Sequence, residues 1–167
     1  MTNIVQSVIL IGIGATLVID AWGILRRALF GIAPPSYALV GRWLGHMPKG
    51  RFRHDSIAAA PAIRGEAALG WSFHYLTGIA YAGLLVALAG PAWLERPAPL
   101  PALAVGLGTV VAPFFLMQPG MGAGIAASRS PNPSSARLHS LLMHAFFGLG
   151  LYLAALAARL LILSTGA

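Results

Sequence analysis

Four long apolar runs constrain this chain more than any other feature of its sequence. Each is close to the roughly 20 residues that a helix needs to cross the hydrocarbon core of a bilayer. Hydrophobic residues make up 57% of the 167 residues and charged residues only 9%, whereas about a quarter of the residues in a soluble domain are charged. The composition excludes a soluble fold and predicts membrane-spanning helices at residues 4–25, 67–93, 99–117 and 138–163.

The predicted fold class is all-α, a four-helix transmembrane bundle forming a single integral membrane domain over residues 1–167. Two polar connections, residues 26–66 and 118–137, join the runs on one side. The Pro34–Pro35 pair can start a short helix in the first connection. We expect that helix to lie at the membrane interface, with Trp43 at the level of the lipid headgroups.

Positive charge predicts the orientation of the chain. Nine of the eleven Lys and Arg residues fall in the two connections, and only Arg96 and Arg159 lie near the opposite face. Lys and Arg are enriched in cytoplasmic loops, so both connections are predicted to be cytoplasmic and both termini non-cytoplasmic. The net charge of +7 is explained by this face and by anionic lipid headgroups as partners, and no motif supports nucleic-acid binding.

Two short motifs recur in the apolar runs and suggest an internal repeat. A Gly-x-Gly motif begins at Gly12 and again at Gly106, and a His-x-x-x-Gly motif begins at His74 and again at His144. The pattern suggests two tandem helical hairpins, with chance matching among Gly- and Ala-rich helices as the alternative. In the third run, Pro113 lacks the N–H that a helical hydrogen bond uses and predicts a kink.

Three ionisable residues, Asp20, His74 and His144, lie inside the apolar runs. At helical rise each is about 9 to 12 Å from the nearest charge on the cytoplasmic side, so the three are predicted to share a depth. An ionised group at the centre of a span costs on the order of 3 kcal/mol, so such residues normally face a bundle interior and find partners.

This polar layer has two interpretations. In the structural interpretation, Asp20 accepts a hydrogen bond and the two histidines are satisfied core residues. In the functional one, His74 and His144 are the axial ligands of a haem, or Asp20, His74 and His144 hold a transition metal. The same residues could also handle protons.

The stretch Gly41–Ile57, GRWLGHMPKGRFRHDSI, gathers basic and aromatic residues between apolar segments. Its histidines and Asp55 are either solvated or bind phosphate or lipid headgroups. Contact with lipid or a partner is predicted for Arg42, Trp43, Lys49, Arg51 and Arg53.

That stretch and MQPGMGAGIAASRSPNP (Met117–Pro133), together with Gly14–Trp22 and His74–Ala82, resemble a family of small bacterial inner-membrane proteins classed as a domain of unknown function. The resemblance covers nearly the whole chain. It implies a multi-pass protein of the bacterial inner (plasma) membrane and assigns no catalytic or binding residue.

The sequence favours a non-catalytic role, as a subunit or accessory of a membrane assembly, over an enzyme. It contains no cysteine, which excludes disulfides and a thiolate nucleophile, and no serine lies in a nucleophile elbow. The partner would be another membrane protein or a second copy of the chain. The alternative functions are a haem, metal or proton-handling protein built on the polar layer, or an enzyme using the same residues for acid–base chemistry on a lipid or quinone.

Overall fold

The computed structural model describes the backbone of residues 4–165 and the side chains of residues 4–161. The two ends of the predicted domain, residues 1–3 and 166–167, lie outside this part. The helices are α1 (Ile4–Phe30), α2 (Tyr37–His46), α3 (Glu66–Ala89), α4 (Ala92–Glu95), α5 (Pro99–Gly108), α6 (Gln118–Met121) and α7 (Pro133–Thr165), with a π-helical stretch at Pro113–Met117. Among the described residues there is no β-strand.

Four helical segments of the described chain are long and apolar enough to cross a membrane. They are Ile4–Phe30, Glu66–Ala89, Pro99–Met121 and Pro133–Leu161. The prediction of an all-α, four-helix membrane bundle is confirmed.

Three of these segments extend beyond the predicted spans, whereas the second ends at Ala89 and not at residue 93. Helices α1 and α7 are longer than predicted because their ends are set by caps rather than by charged residues. Helix α1 continues through Arg26, which is only 6% exposed, until Gly31 turns the backbone to a φ of +67°. Helix α7 starts at Pro133, and the Asn132 side chain accepts a hydrogen bond from the Ser135 N–H at 3.2 Å. An Asn cap followed by proline is a strong helix start, and it moves this start from residue 138 to Pro133.

The third apolar helix is interrupted where Pro113 predicted a kink. Regular α-helix ends at Gly108, and the Thr109 carbonyl accepts a hydrogen bond from the Ala112 N–H at 3.1 Å. Pro113 has no N–H with which to bond that carbonyl in an α-helical pattern. The chain resumes as a π-helical stretch, a form that commonly occurs as a local insertion in α-helices.

The chain divides into two compact units. The apolar unit contains the described residues up to Pro34, Tyr75–Gly108, and those from Met143 onward; the basic unit contains Pro35–His74 and Thr109–Leu142. Helices α3 and α7 contribute residues to both. Seven of the eleven Lys and Arg residues belong to the basic unit. Whether the whole chain behaves as one domain stays a prediction.

The core of the apolar unit draws on all four spanning helices. Its buried members are mostly small or aliphatic, and they are Ile11, Ala15, Ala82, Leu85, Trp93, Ala102, Phe147, Leu151, Ala155 and Ala158. Small side chains let helix backbones approach closely where no water drives their association.

Two glycine crossings in the apolar unit involve the repeated sequence motifs. A Cβ on Gly12 would lie 2.9 Å from the Gly78 carbonyl oxygen, and a Cβ on Gly106 would lie 2.8 Å from the His144 carbonyl oxygen and also contact Gly148. The first glycine of each Gly-x-Gly motif thus crosses the glycine of a His-x-x-x-Gly motif. The two crossings differ in register by one residue, because the backbone atoms nearest to a Cβ on Gly12 belong to Ile79 and those nearest to a Cβ on Gly106 belong to Gly148. The two tandem hairpins stay a prediction.

Candidate functional site

The basic unit is organised by the crossing of α2 with the first turns of α3. A Cβ on Gly41 would collide with the Glu66 carbonyl oxygen and lie 2.7 Å from the Gly70 nitrogen. One residue further along α2, the Arg42 guanidinium makes two 2.8 Å contacts with the Glu66 carboxylate. This hydrogen-bonded carboxylate raises the pKa of Arg42 above its usual value.

Arg42 also fixes the connection between these helices. Its Nη1 donates to the carbonyl oxygens of Ala60 at 3.0 Å and Ala58 at 3.2 Å. The bidentate pairing and the two carbonyl contacts use the planar fork that distinguishes arginine from lysine. Arg42 therefore links the connection between α2 and α3 to the Glu66 carboxylate at the start of α3.

Trp43 joins the two loops of the basic unit. Its side chain is 9% exposed, and its indole Nε1 donates to the Phe52 carbonyl oxygen at 2.9 Å. Gly120 lies against the indole, because a Cβ there would be 2.6 Å from Nε1. The Gly120 carbonyl in turn accepts a hydrogen bond from the His54 N–H at 2.9 Å. Residues near positions 52–55 are thereby held beside the loop that follows α6.

The loop after α6 has an uncommon backbone. Gly122 and Gly124 have positive φ values, and so do Ala126 (φ 47°) and Ala127 (φ 56°). A left-handed conformation costs a residue with a Cβ roughly 1–2 kcal/mol. Arg137 supports the loop by donating from Nε to the Ala126 carbonyl at 2.9 Å. Strain of this kind persists where surrounding contacts enforce it, often near binding sites.

The two loops enclose an open groove of about 860 Å³. One wall comes from residues 51–61 and the other from residues 119–129. Three arginines line it, Arg51, Arg53 and Arg129, and all three are exposed. Within the described part of the chain none of the three is in an ion pair. The groove is therefore a region of concentrated positive charge, offset in part by Asp55.

The residues predicted to contact lipid or a partner divide into two groups. Arg42 and Trp43 are engaged within the basic unit by the contacts given above. Lys49, Arg51 and Arg53 are exposed, and the last two line the groove. Contact with lipid or a partner stays a prediction for the set.

The residues of the predicted polar layer each have partners, and they belong to different units. Asp20 and His144 are in the apolar unit, whereas His74 is in the basic unit. The Tyr75 hydroxyl donates to Asp20 Oδ2 at 2.9 Å. The Tyr37 ring stacks on His74 with centroids 4.0 Å apart.

His144 helps to close the second glycine crossing. Its Nδ1 lies 3.2 Å from the Gly106 carbonyl oxygen and donates to it in the Nδ1–H tautomer. Across residues 4–161, no group of three or more His, Asp or Glu side chains gathers to hold a metal ion. The haem and metal sites built on Asp20, His74 and His144 stay predictions.

The family described as "Protein of unknown function (DUF2938)" matches residues 9–158. The chain belongs to the DUF2938 family. Neither the curated proteins nor the solved structures contain a match to this chain.

The sequence singles out Arg51 and Arg53 of this DUF2938 chain but does not predict the groove that they line. The groove is also lined by Gly124, Ile125, Ser128 and Arg129, and no pattern in the sequence places them beside Arg51 and Arg53. A weak signal existed, because three glycines at alternate positions, Gly120, Gly122 and Gly124, precede Arg129. Such spacing indicates a loop that needs positive φ or close backbone approach.

Proposed function

We propose that this DUF2938 protein is a non-catalytic membrane protein that binds a phosphate-bearing anion in the groove of its basic unit. The observation that carries the proposal is the convergence of Arg51, Arg53 and Arg129 on one groove. They come from two separate stretches of the chain, and each is exposed. The groove supplies positive charge and hydrogen-bond donors, both of which suit the binding of an anion. Anion binding without catalysis fits an accessory or subunit of a membrane assembly.

The chemistry of the groove favours phosphate over a general anion. A guanidinium presents planar, paired N–H donors that match two oxygens of a phosphate. Three such groups exceed the single charge of Asp55 and attract an anion carrying one or two negative charges. A volume of about 860 Å³ holds far more than one phosphate, since small-molecule sites are commonly about 300–1,000 Å³. A phosphorylated headgroup or a soluble phosphate ester would fit.

We also propose that the protein lies in the bacterial inner membrane with the basic unit on the cytoplasmic side and both termini on the other. Support comes from the seven Lys and Arg residues of that unit and the cytoplasmic bias of such residues. The chain has no cysteine, so single cysteines report orientation cleanly. In intact spheroplasts, a membrane-impermeant maleimide should label Glu95→Cys and spare Ser56→Cys. The reverse labelling pattern would reject this topology.

The binding proposal is tested with protein in lipid nanodiscs and two probes. One arm compares discs of phosphatidylcholine with discs containing phosphatidylglycerol, by native mass spectrometry of retained lipid. The other titrates inorganic phosphate into phosphatidylcholine discs by calorimetry. Selective retention of the anionic lipid identifies a headgroup as the ligand, whereas saturable binding of phosphate alone identifies a soluble anion.

The variants are chosen to separate groove charge from overall charge. The double variant Arg51→Ala/Arg129→Ala should lower affinity at least tenfold for whichever probe binds. The control Arg96→Ala/Arg159→Ala removes two exposed arginines of the apolar unit and should change affinity less than twofold. Equal losses in both variants would show only nonspecific charge attraction, and the absence of binding in both arms would reject the proposal.

A further inference from the structure

Two histidines of the basic unit lie against one another beside the groove. The rings of His46 and His54 meet edge to face, with centroids 5.1 Å apart and planes at 87°. His46 is the last residue of α2 and is only 4% exposed. His54 is more accessible and lines the groove. A deeply buried imidazole thus adjoins one that opens to the groove.

Three of the four ring nitrogens in this pair have no hydrogen-bond partner among the described residues. They are Nδ1 of His46 and both nitrogens of His54, and all three are buried as atoms. Leaving a buried polar group unsatisfied costs about 1–3 kcal/mol. Such groups are uncommon, and an ion or an ordered water is a recognised reason for one.

The fourth ring nitrogen sets the chemistry of His46. Its Nε2 lies 2.9 Å from the Pro61 carbonyl oxygen, an acceptor, so Nε2 carries the proton and Nδ1 presents its lone pair. Histidines that bind metals usually donate their other ring N–H to a carbonyl or carboxylate in this way, which fixes the tautomer and the ring orientation. His46 therefore has the outer contact of a metal ligand and a buried Nδ1 that makes no hydrogen bond with the described residues.

We propose that His46 and His54 form a two-imidazole site for a borderline divalent transition-metal ion, such as Cu²⁺ or Zn²⁺. The ring separation suits this role. With metal–nitrogen distances of about 2.0–2.1 Å and tetrahedral angles, two imidazoles on one ion place their centroids about 5 Å apart. Neutral imidazole is a good ligand for both metals, and Cu²⁺ binds nitrogen sites more tightly than the other divalent ions of its row.

The remaining coordination positions of such an ion would be open. Since no third His, Asp or Glu gathers with the pair in residues 4–161, water or an anion from the groove would complete the coordination. The three arginines oppose a cation electrostatically. Asp55, which lines the same groove, and a bound anion would each reduce that repulsion. Metal and phosphate would then bind cooperatively, although the metal site does not require phosphate.

The metal test uses the whole protein in mild detergent, purified with a histidine-free tag, stripped with chelator and free of phosphate. Cu²⁺ is titrated by calorimetry, and the bound ion is examined by electron paramagnetic resonance. The wild type should bind one ion with hyperfine coupling to two imidazole nitrogens. His46→Gln and His54→Gln should each weaken binding at least tenfold and leave coupling to a single nitrogen.

His139→Gln is the matched control, because His139 also belongs to the basic unit and its Nδ1 is likewise buried without a partner in the described part. That variant should bind Cu²⁺ as the wild type does. If His46→Gln does not fold, Cu²⁺ binding by His54→Gln still decides the result, because His54 is more accessible. Unchanged binding in His54→Gln, an equal loss in His139→Gln, or no stoichiometric ion in the wild type would overturn the site. None of these outcomes depends on the arginine variants.

Discussion

Each unit of the molecule contains a buried tryptophan that donates to a backbone carbonyl, but the two contacts serve different structures. Trp93, 5% exposed, bonds Ala98 at 3.1 Å and closes a short turn in the apolar unit. Trp43, 9% exposed, bonds Phe52 at 2.9 Å and holds a loop that borders the groove. The apolar unit uses such contacts to complete a helical core, and the basic unit uses them to position exposed charge.

The same contrast extends to glycine. In the apolar unit the closest approaches join spanning helices, at the Gly12 and Gly106 crossings. In the basic unit they join the short helix α2 to the start of α3, at Gly41, and bring the two loops together, at Gly120 and Gly122. Substitutions at the close approaches of the apolar unit should therefore unfold the protein. Substitutions at those of the basic unit should leave the spanning helices folded but abolish ligand binding.

The largest effect is expected for Gly106→Ala in the apolar unit. The new Cβ would meet backbone atoms of Gly148 and the His144 carbonyl, none of which can rotate away. Overpacking typically costs about 1–3 kcal/mol and more where backbone must move, so we expect at least ~3 kcal/mol. Gly108→Ala, in the same motif, has open space within 4 Å and should be neutral or stabilising. Thermal unfolding in detergent compares the two, and equal stability would show that the crossing is not close packed.

Gly41→Ala should be the next most damaging, and its effect should stay local. Its Cβ would collide with the Glu66 carbonyl, separating α2 from α3 at a cost of about 2–3 kcal/mol. Gly45→Ala is the control on the same helix, since the nearest atoms to its Cβ belong to the flexible side chains of Ile63 and Leu69 and not to backbone. Hydrogen exchange should rise across residues 37–61 in Gly41→Ala and remain near wild type in the core of the apolar unit. A rise throughout both units would mean that they unfold together.

The sequence predicted the apolar unit better than the basic one, for a physical reason. Long apolar runs and recurring glycines identify spanning helices and their close approaches, because a bilayer leaves the chain few alternatives. The motif glycines Gly12 and Gly106 were found in this way, and both lie at crossings.

The groove was not predicted, because it depends on loops that meet in space. Arg51 and Arg53 stand out as a basic run, but their position beside Arg129 depends on Gly120 fitting under Trp43 and on four positive φ values that follow. Such contacts join residues more than seventy positions apart and have no periodicity. Trp43 shows the same limit, since no pattern in the sequence places its indole against Gly120.

A matched pair of substitutions tests the roles of the two tryptophans directly. Trp43→Phe removes the donor to Phe52 and leaves that carbonyl without it, which costs about 1–2 kcal/mol, and Trp93→Phe does the same to Ala98. Both should lower stability by similar amounts. Only Trp43→Phe should also weaken binding of the anionic probe in nanodiscs, by roughly the tenfold that 1.4 kcal/mol represents. Loss of binding in both variants would mean that anion binding depends on the overall stability of the protein and not on the position of the loop that Trp43 holds.

The smallest effect is expected for Asp20→Asn, which asks whether the polar group in the apolar unit is structural or functional. Asparagine keeps an oxygen that can accept the Tyr75 hydroxyl bond, now 2.9 Å long. Hydrogen bonds between membrane helices average about 0.6 kcal/mol, so the variant should lose no more than that. A structural role predicts unchanged binding of phosphate and Cu²⁺, since both proposed sites lie in the basic unit. Loss of a metal or proton-linked signal with stability intact would instead restore Asp20 as a functional carboxylate, because an amide cannot carry its charge.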